Sequence, residues 1–209
     1  MKRKGLLMVM SGPSGAGKGT LCKAFLERND SVRLSVSSTT RQPREQEVDG
    51  VSYHFISKER FEEMIRQEEL LEYVHVFDNY YGTGKKWVED CLSRGEDVLL
   101  EIEIVGAKKI KEKYPQALLI FILPPSLREL KERIENRGTE TQEQIEGRLQ
   151  RAMEEIGEIG SYDYFVINDR VEEALDEMEA IITAEKNRVN RYQEEIVSRF
   201  QKEGEEKLS

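Results

Sequence analysis

The chain has 209 residues, a formal net charge of −9, and 38% hydrophobic against 35% charged residues. That length suits one core with insertions, and the acidic balance argues against general nucleic-acid binding, which needs a basic face. Apolar runs such as 118–123 fall far short of the ~20 residues that span a bilayer. Removal of a leader would destroy the apolar stretch before residue 12, so a cytoplasmic protein without a membrane partner is expected. Cys22 and Cys91 lack metal-ligand spacing and read as reduced thiols, and His54 and His75 stand alone.

In chain order, an apolar strand is expected over 6–10. It runs into Gly12-Pro13-Ser14-Gly15-Ala16-Gly17-Lys18-Gly19-Thr20, and a helix is expected over 18–27. Strand, glycine turn and helix in that order make a phosphate-binding P-loop. Glycines let successive backbone N–H groups curl round an anion, the helix N-terminus points its dipole at the same charge, and Lys18 adds a mobile cation for the outer phosphates. Gly19 stands where the general motif has a hydroxyl, so Thr20, one residue later, becomes the candidate hydroxyl for magnesium.

A strand is expected over 32–37, followed by an insertion that breaks the strand–helix rhythm as far as Gly84 and carries a helix over 58–67. Within it, Arg41 and Arg44 flank Pro43, and two forked guanidiniums held close suit a phosphate. Tyr53 and Tyr81 add hydroxyl donors. Taken alone, this pattern reads equally as a solvated loop. A helix over 85–92 and a strand over 97–104 come next. Glu101 and Glu103 are placed on one face at the strand's carboxyl end, where Glu101 suits metal-water coordination and Glu103 a nucleotide contact. A strand over 117–123 precedes helices over 127–137 and 142–159, marked by capping-box spacing at Ser126/Glu129 and Thr141/Gln144. These helices carry Arg133, Arg137, Arg148 and Arg151 around Gly138, a candidate hinge. The same arginines could instead pair on the surface with Glu135, Glu140 and Glu146. A strand over 164–167, a long helix from 172 to about 200 and a polar tail expected to fray complete the chain.

The segments Ser38-Thr39-Thr40-Arg41-Gln42-Pro43-Arg44, Tyr80-Tyr81-Gly82-Thr83 and Arg137-Gly138-Thr139-Glu140-Thr141, in this order after the P-loop, resemble guanylate kinase over most of the chain. The resemblance implies an α/β fold: a P-loop NTPase core with a mostly parallel sheet flanked by helices, a nucleoside-monophosphate-binding insertion and a small helical lid. The expected division is 1–34, 85–125 and 152–209 for the core, 35–84 for the GMP-binding insertion and 126–151 for the lid. The implied activity is phosphorylation of GMP or dGMP by ATP with magnesium. Arg41, Arg44, Tyr53 and Tyr81 would hold the GMP phosphate, and Ser37, Glu72 and Thr83 the guanine. Lys18, Arg41, Arg137 and Arg148 would serve the transfer, and Thr20 and Glu101 the metal. Guanine chemistry supports Glu72 independently, because a carboxylate accepts from N1–H and N2–H side by side.

The chain departs from the family pattern at Glu101 and Glu103, where aspartates are frequent, and at Val105, where glutamine is frequent. Gly-Lys-Gly-Thr occurs in adenylate kinases too, against which Glu72 and the tyrosine-rich insertion argue. A non-catalytic scaffold related to the family would have lost the phosphate loop that this chain keeps. Homo-oligomerisation stays open at this level.

Overall fold

The computed structural model describes residues 4–76, 78–135 and 142–208. Its centre is a five-stranded sheet in the order β2-β7-β1-β8-β9, with every pairing parallel. The strands are β1 (Leu7–Ser11), β2 (Val32–Leu34), β7 (Asp97–Glu101), β8 (Leu118–Leu123) and β9 (Tyr164–Ile167). A sheet covered on both faces needs apolar residues at every strand position, and β1 supplies them. Met8 and Met10 pack with Leu21 and Phe25 of α1 (Lys18–Arg28) and with Leu175 and Met178 of α7 (Val171–Lys186). Leu7 and Val9 pack on the other face, with Val88 and Cys91 of α3 (Lys85–Ser93) and Ala107 and Ile110 of α4 (Ile104–Lys113). Burying each of the Leu, Val, Ile, Met and Phe side chains among these is worth roughly 1.5–3 kcal/mol before entropy is set against it.

The insertion forms a second sheet, β4-β3-β6-β5, from β3 (Ser38–Thr39), β4 (His54–Phe55), β5 (Leu70–Val76) and β6 (Asn79–Gly84), together with α2 (Lys58–Arg66). Beyond β8 come α5 (Leu127–Glu135) and α6 (Gln142–Gly157), and after α7 the chain ends in α8 (Gln193–Leu208). Leu130 and Ile134 of α5 close with Ile145 and Ala152 of α6 into a small core of their own. Ser126 accepts from the Glu129 N–H at 3.1 Å and so starts α5, whereas Arg137, Gly138 and Thr141 lie outside the described residues.

Four sequence expectations are corrected. The strand expected over 32–37 stops at Leu34, because its only partner in the sheet is β7 and the chain then turns to enter the second sheet. The strand expected over 97–104 stops at Glu101, and α4 follows with Glu103 as its N-cap residue. Ile104, Ala107 and Ile110 are buried at helical spacing, so the apolar run crosses a strand–helix boundary. The long helix over 172–200 breaks after Lys186. Asn187 caps the break by donating to the Thr183 carbonyl at 2.8 Å, and buried Arg191 donates to the Lys4 and Gly5 carbonyls at 3.1 and 3.0 Å. Those bonds fasten the chain end beside the start of β1. The tail expected to fray continues α8 as far as Leu208.

Candidate active site

The glycine loop joins the end of β1 to α1 at the carboxyl edge of the parallel sheet, where open α/β sheets bind ligands. Two of its glycines are sterically required. A Cβ on Gly12 (φ +146°) would lie 2.2 Å from the Ile122 carbonyl oxygen, and one on Gly17 (φ +87°) 2.4 Å from Asn168 Nδ2. Asn168, 5% exposed at the end of β9, donates to the Ala16 carbonyl at 2.9 Å. Arg133 donates to the Ala16 and Asn168 carbonyls at 3.4 and 2.9 Å. Both residues brace the loop, so Arg133 of the expected lid is spent on holding it.

Lys18 folds over the loop and donates to the Gly12 and Pro13 carbonyls at 2.6 and 3.1 Å. From α6, Arg148 donates to Ser14 Oγ at 2.7 Å, and the Ser14 N–H is donated to Glu155 at 3.3 Å. Arg151 pairs with Glu155 at 3.0 Å and reaches Glu103 at 4.0 Å. Among the described residues Arg151 pairs with Glu155 and Glu103 rather than with Glu135 or Glu146, while Glu140 lies outside the described residues. Arg137 lies outside the described residues.

Glu101 ends β7 beside the first turn of α1. Burial raises its carboxyl above the ordinary range, and the Lys18 ammonium opposes that shift. Its Oε1 lies 3.7 Å from where a Cβ on Gly19 would stand, so the longer acid fills space bordering the missing P-loop hydroxyl. Thr20 is exposed in the same turn. The Cys22 thiol is pushed up to about 12 by burial and by Glu101. The two glutamates do not share a strand face as expected, because Glu103 has already left the strand.

The second sheet gathers the remaining candidates. Glu72 on β5 is 3% exposed and accepts from Thr83 Oγ1 on β6 at 2.8 Å. Burial raises its carboxyl, with the Thr83 bond pulling the other way. The Thr83 hydroxyl, grouped with Ser37 and Glu72 at the guanine, gives its proton to Glu72. Gly106, in the first turn of α4, approaches so closely that a Cβ there would lie 2.7 Å from Glu72 Oε2. That contact makes Gly106 a site residue that the motif reading did not single out. Ser37 stands just before β3, and its carbonyl accepts from the His54 N–H at 2.9 Å.

The Arg41 guanidinium lies 5.5 Å from the Tyr53 ring centroid, and Tyr53 meets Tyr81 edge-on at 6.0 Å. Burial and then the charge of Glu101 raise the Tyr53 hydroxyl, which stays a neutral donor. Arg44 is exposed beside them. Between the two arginines sits a residue no motif pointed to: Glu47 accepts from Arg41 Nη1 and Nη2 at 2.9 and 2.8 Å and from the Arg44 N–H at 2.8 Å.

This arrangement offers an anion cradle on one sheet and, on the other, a buried acceptor pair with a cationic, tyrosine-lined patch. The family model for guanylate kinase matches residues 4–185. A guanylate kinase of Clostridioides difficile is 58% identical over 96% of this chain and 98% of its own length. One from Clostridium perfringens is 51% identical over 98% and 95%. The crystal structure of a guanylate kinase from Anaplasma phagocytophilum superposes with a TM-score of 0.80 at 33% identity, covering 96% of this chain and 97% of that one.

Proposed function

The chain belongs to the guanylate kinase family, and we infer that it transfers the terminal phosphoryl group of ATP to GMP, and to dGMP, by in-line displacement. The observation that carries the residue assignments is the buried Glu72 carboxylate on β5, in the same small sheet as Tyr81 on β6, with Arg41 following β3 and Tyr53 preceding β4. Guanine presents N1–H and N2–H side by side and adenine does not, so a fixed acceptor pair reads the base. Ser37 serves O6, and Thr83 holds Glu72 in register. Arg41, Arg44, Tyr53 and Tyr81 take the phosphate. The contacts assigned are to base and phosphate, so the 2′-hydroxyl is not read and the deoxynucleotide is accepted.

Residues 12–20 receive the ATP phosphates through backbone N–H groups, with Lys18 moving from its loop carbonyls to the outer phosphates. No general base is needed, since a phosphate monoester has a second pKa of ~6 and is largely dianionic at neutral pH. Catalysis rests on alignment and charge neutralisation by Lys18, Arg41, Arg148 and Arg137. Magnesium fits the donors present. Glu101 supplies a hard carboxylate beside Lys18 and Thr20 a hydroxyl. Among the described residues no cluster of three ligating side chains exists, as suits an ion ligated mostly by phosphates and water. When bound, it neutralises charge on the transferring group. Glu103 lies close enough to Arg151 to position the lid against the nucleotide.

The insertion 35–84 is thus the GMP arm and 126–151 the lid, on a core of 1–34, 85–125 and 152–209. Among the described residues no helix is long and apolar enough to cross a membrane, and we place the enzyme in the cytoplasm, where both nucleotides are found. The test is Lys18→Ala in a coupled ADP-release assay. The variant should keep its circular dichroism spectrum and lose at least ~100-fold in GMP turnover. Near-normal turnover by a folded variant would contradict the assignment.

A further inference from the structure

Glu47 makes four hydrogen bonds within the phosphate-gripping loop, all of them to Arg41 or Arg44. Its side chain is 18% exposed and that of Arg41 19%, so the pair is largely out of water without being sealed. The Arg41 guanidinium has five N–H groups. Both Nη1 hydrogens are engaged, one to Glu47 Oε2 at 2.9 Å and one to the Gln42 carbonyl at 2.8 Å. One Nη2 hydrogen goes to Glu47 Oε1 at 2.8 Å. The two that remain, on Nε and Nη2, form a single bidentate edge, and the Tyr81 hydroxyl lies beside this guanidinium. The same Glu47 carboxylate accepts from the Arg44 N–H at 2.8 Å, and the Glu47 N–H returns a bond to the Arg44 carbonyl at 3.0 Å. One acidic side chain therefore fixes the rotation of one phosphate-gripping arginine and the backbone of the other.

We propose that Glu47 is a positioning residue: it holds the distal edge of Arg41 so that the Nε/Nη2 edge is presented, preorganised, to the monophosphate of the acceptor nucleotide. The inference rests on the reading of Arg41 as a ligand of the GMP phosphate. A guanidinium with no such partner would rotate about its long side chain, and its entropy would have to be lost on each binding event. A fork already held by a carboxylate loses little more, which is the advantage of preorganisation. Glu47 also cancels one charge of the patch, so the phosphate is bound by geometry and by Arg44 rather than by an excess of positive field. The mutual pairing is visible in both partners: the hydrogen bond to Arg41 holds the Glu47 carboxyl below the usual carboxylate range, and the bond to Glu47 raises Arg41 further.

The experiment is a double-mutant cycle on binding, read by calorimetry with GMP and with guanosine, which lacks the phosphate. Glu47→Gln keeps size and should keep the fold, checked by circular dichroism. GMP affinity should fall ~10-fold or more in this variant, as for loss of a charge-assisted contact, while guanosine affinity stays within about 2-fold. In an Arg41→Met background, Glu47→Gln should cost less than about 2-fold more, since its effect passes through Arg41. Unchanged or tighter GMP binding by Glu47→Gln, or an equal loss with guanosine, would overturn the proposal. So would an equal loss in the Arg41→Met background. If Arg41→Met itself leaves GMP binding unchanged, the reading of Arg41 falls and the proposal with it, a result distinguishable from failure of Glu47 alone.

Discussion

At the scale of single residues, recognition and stability pull against each other at Glu72. Its carboxyl is raised because burial penalises the charge, yet guanine needs the ionised form as acceptor. A group raised in the folded state contributes stability that is present at low pH and lost as pH rises through its folded value. Glu72→Gln should therefore raise the melting temperature near neutral pH, and raise it less near about pH 4, where the native side chain is protonated. The same change puts a donor against one of guanine's donors. The ratio of kcat/KM for GMP over AMP should fall roughly 10- to 100-fold, from a lost or opposed bond of ~1–3 kcal/mol. Melting curves at both pH values and steady-state kinetics check the two halves; an unchanged ratio would remove Glu72 from base reading. Guanosine, whose lack of a phosphate removes a second titration, should bind more weakly as pH falls through the raised Glu72 range.

At the scale of elements, the site depends on which turn meets which side chain. The first turn of α4 passes so near Glu72 that only a glycine fits at 106 without displacing the carboxylate. Because the atom met is the end of a side chain and not backbone, Gly106→Ala should cost under about 1 kcal/mol of stability yet weaken GMP binding several-fold, with ATP affinity unchanged. Gly12→Ala differs in kind. It meets the Ile122 carbonyl at 2.2 Å with φ at +146°, and should destabilise the fold itself by several kcal/mol, measured by chemical denaturation. β1, β8 and β9 were legible as short unbroken apolar runs, and α1 because its apolar residues Leu21, Cys22 and Phe25 fall at helical spacing after the glycine loop. The second sheet was not, since β3 and β4 are each only two residues long and β5 and β6 interrupt their alternation with Glu72 and Thr83. The start of α4 was hidden because strand and helix share one apolar run. Glu47 went unseen for a different reason: an acid among exposed polar residues carries no periodic signal, and its role appears only when its oxygens are seen on both arginines.

At the scale of the whole molecule, with ATP at the central sheet and GMP at the second as proposed, transfer requires that they meet with water excluded. The candidate cations are already held by neighbours: Arg41 rests on Glu47, Arg148 on Ser14 and Arg151 on Glu155. If ATP takes the Ser14 N–H as proposed, it must free that group from Glu155, and closure would then exchange partners as well as gather charge. Distance labels on residues of α2 and α8 should move closer when GMP binds, and labels on α6 and α2 closer again with a two-substrate analogue. Identical distances in every ligand state would mean a rigid cleft. The most direct measurement of the account is a coupled assay of ADP release with GMP, AMP, CMP and UMP as acceptors under identical ATP and magnesium. Turnover with GMP exceeding that with each of the others by roughly 100-fold or more is the predicted result. Equal or greater turnover with AMP, or none with GMP, would contradict it.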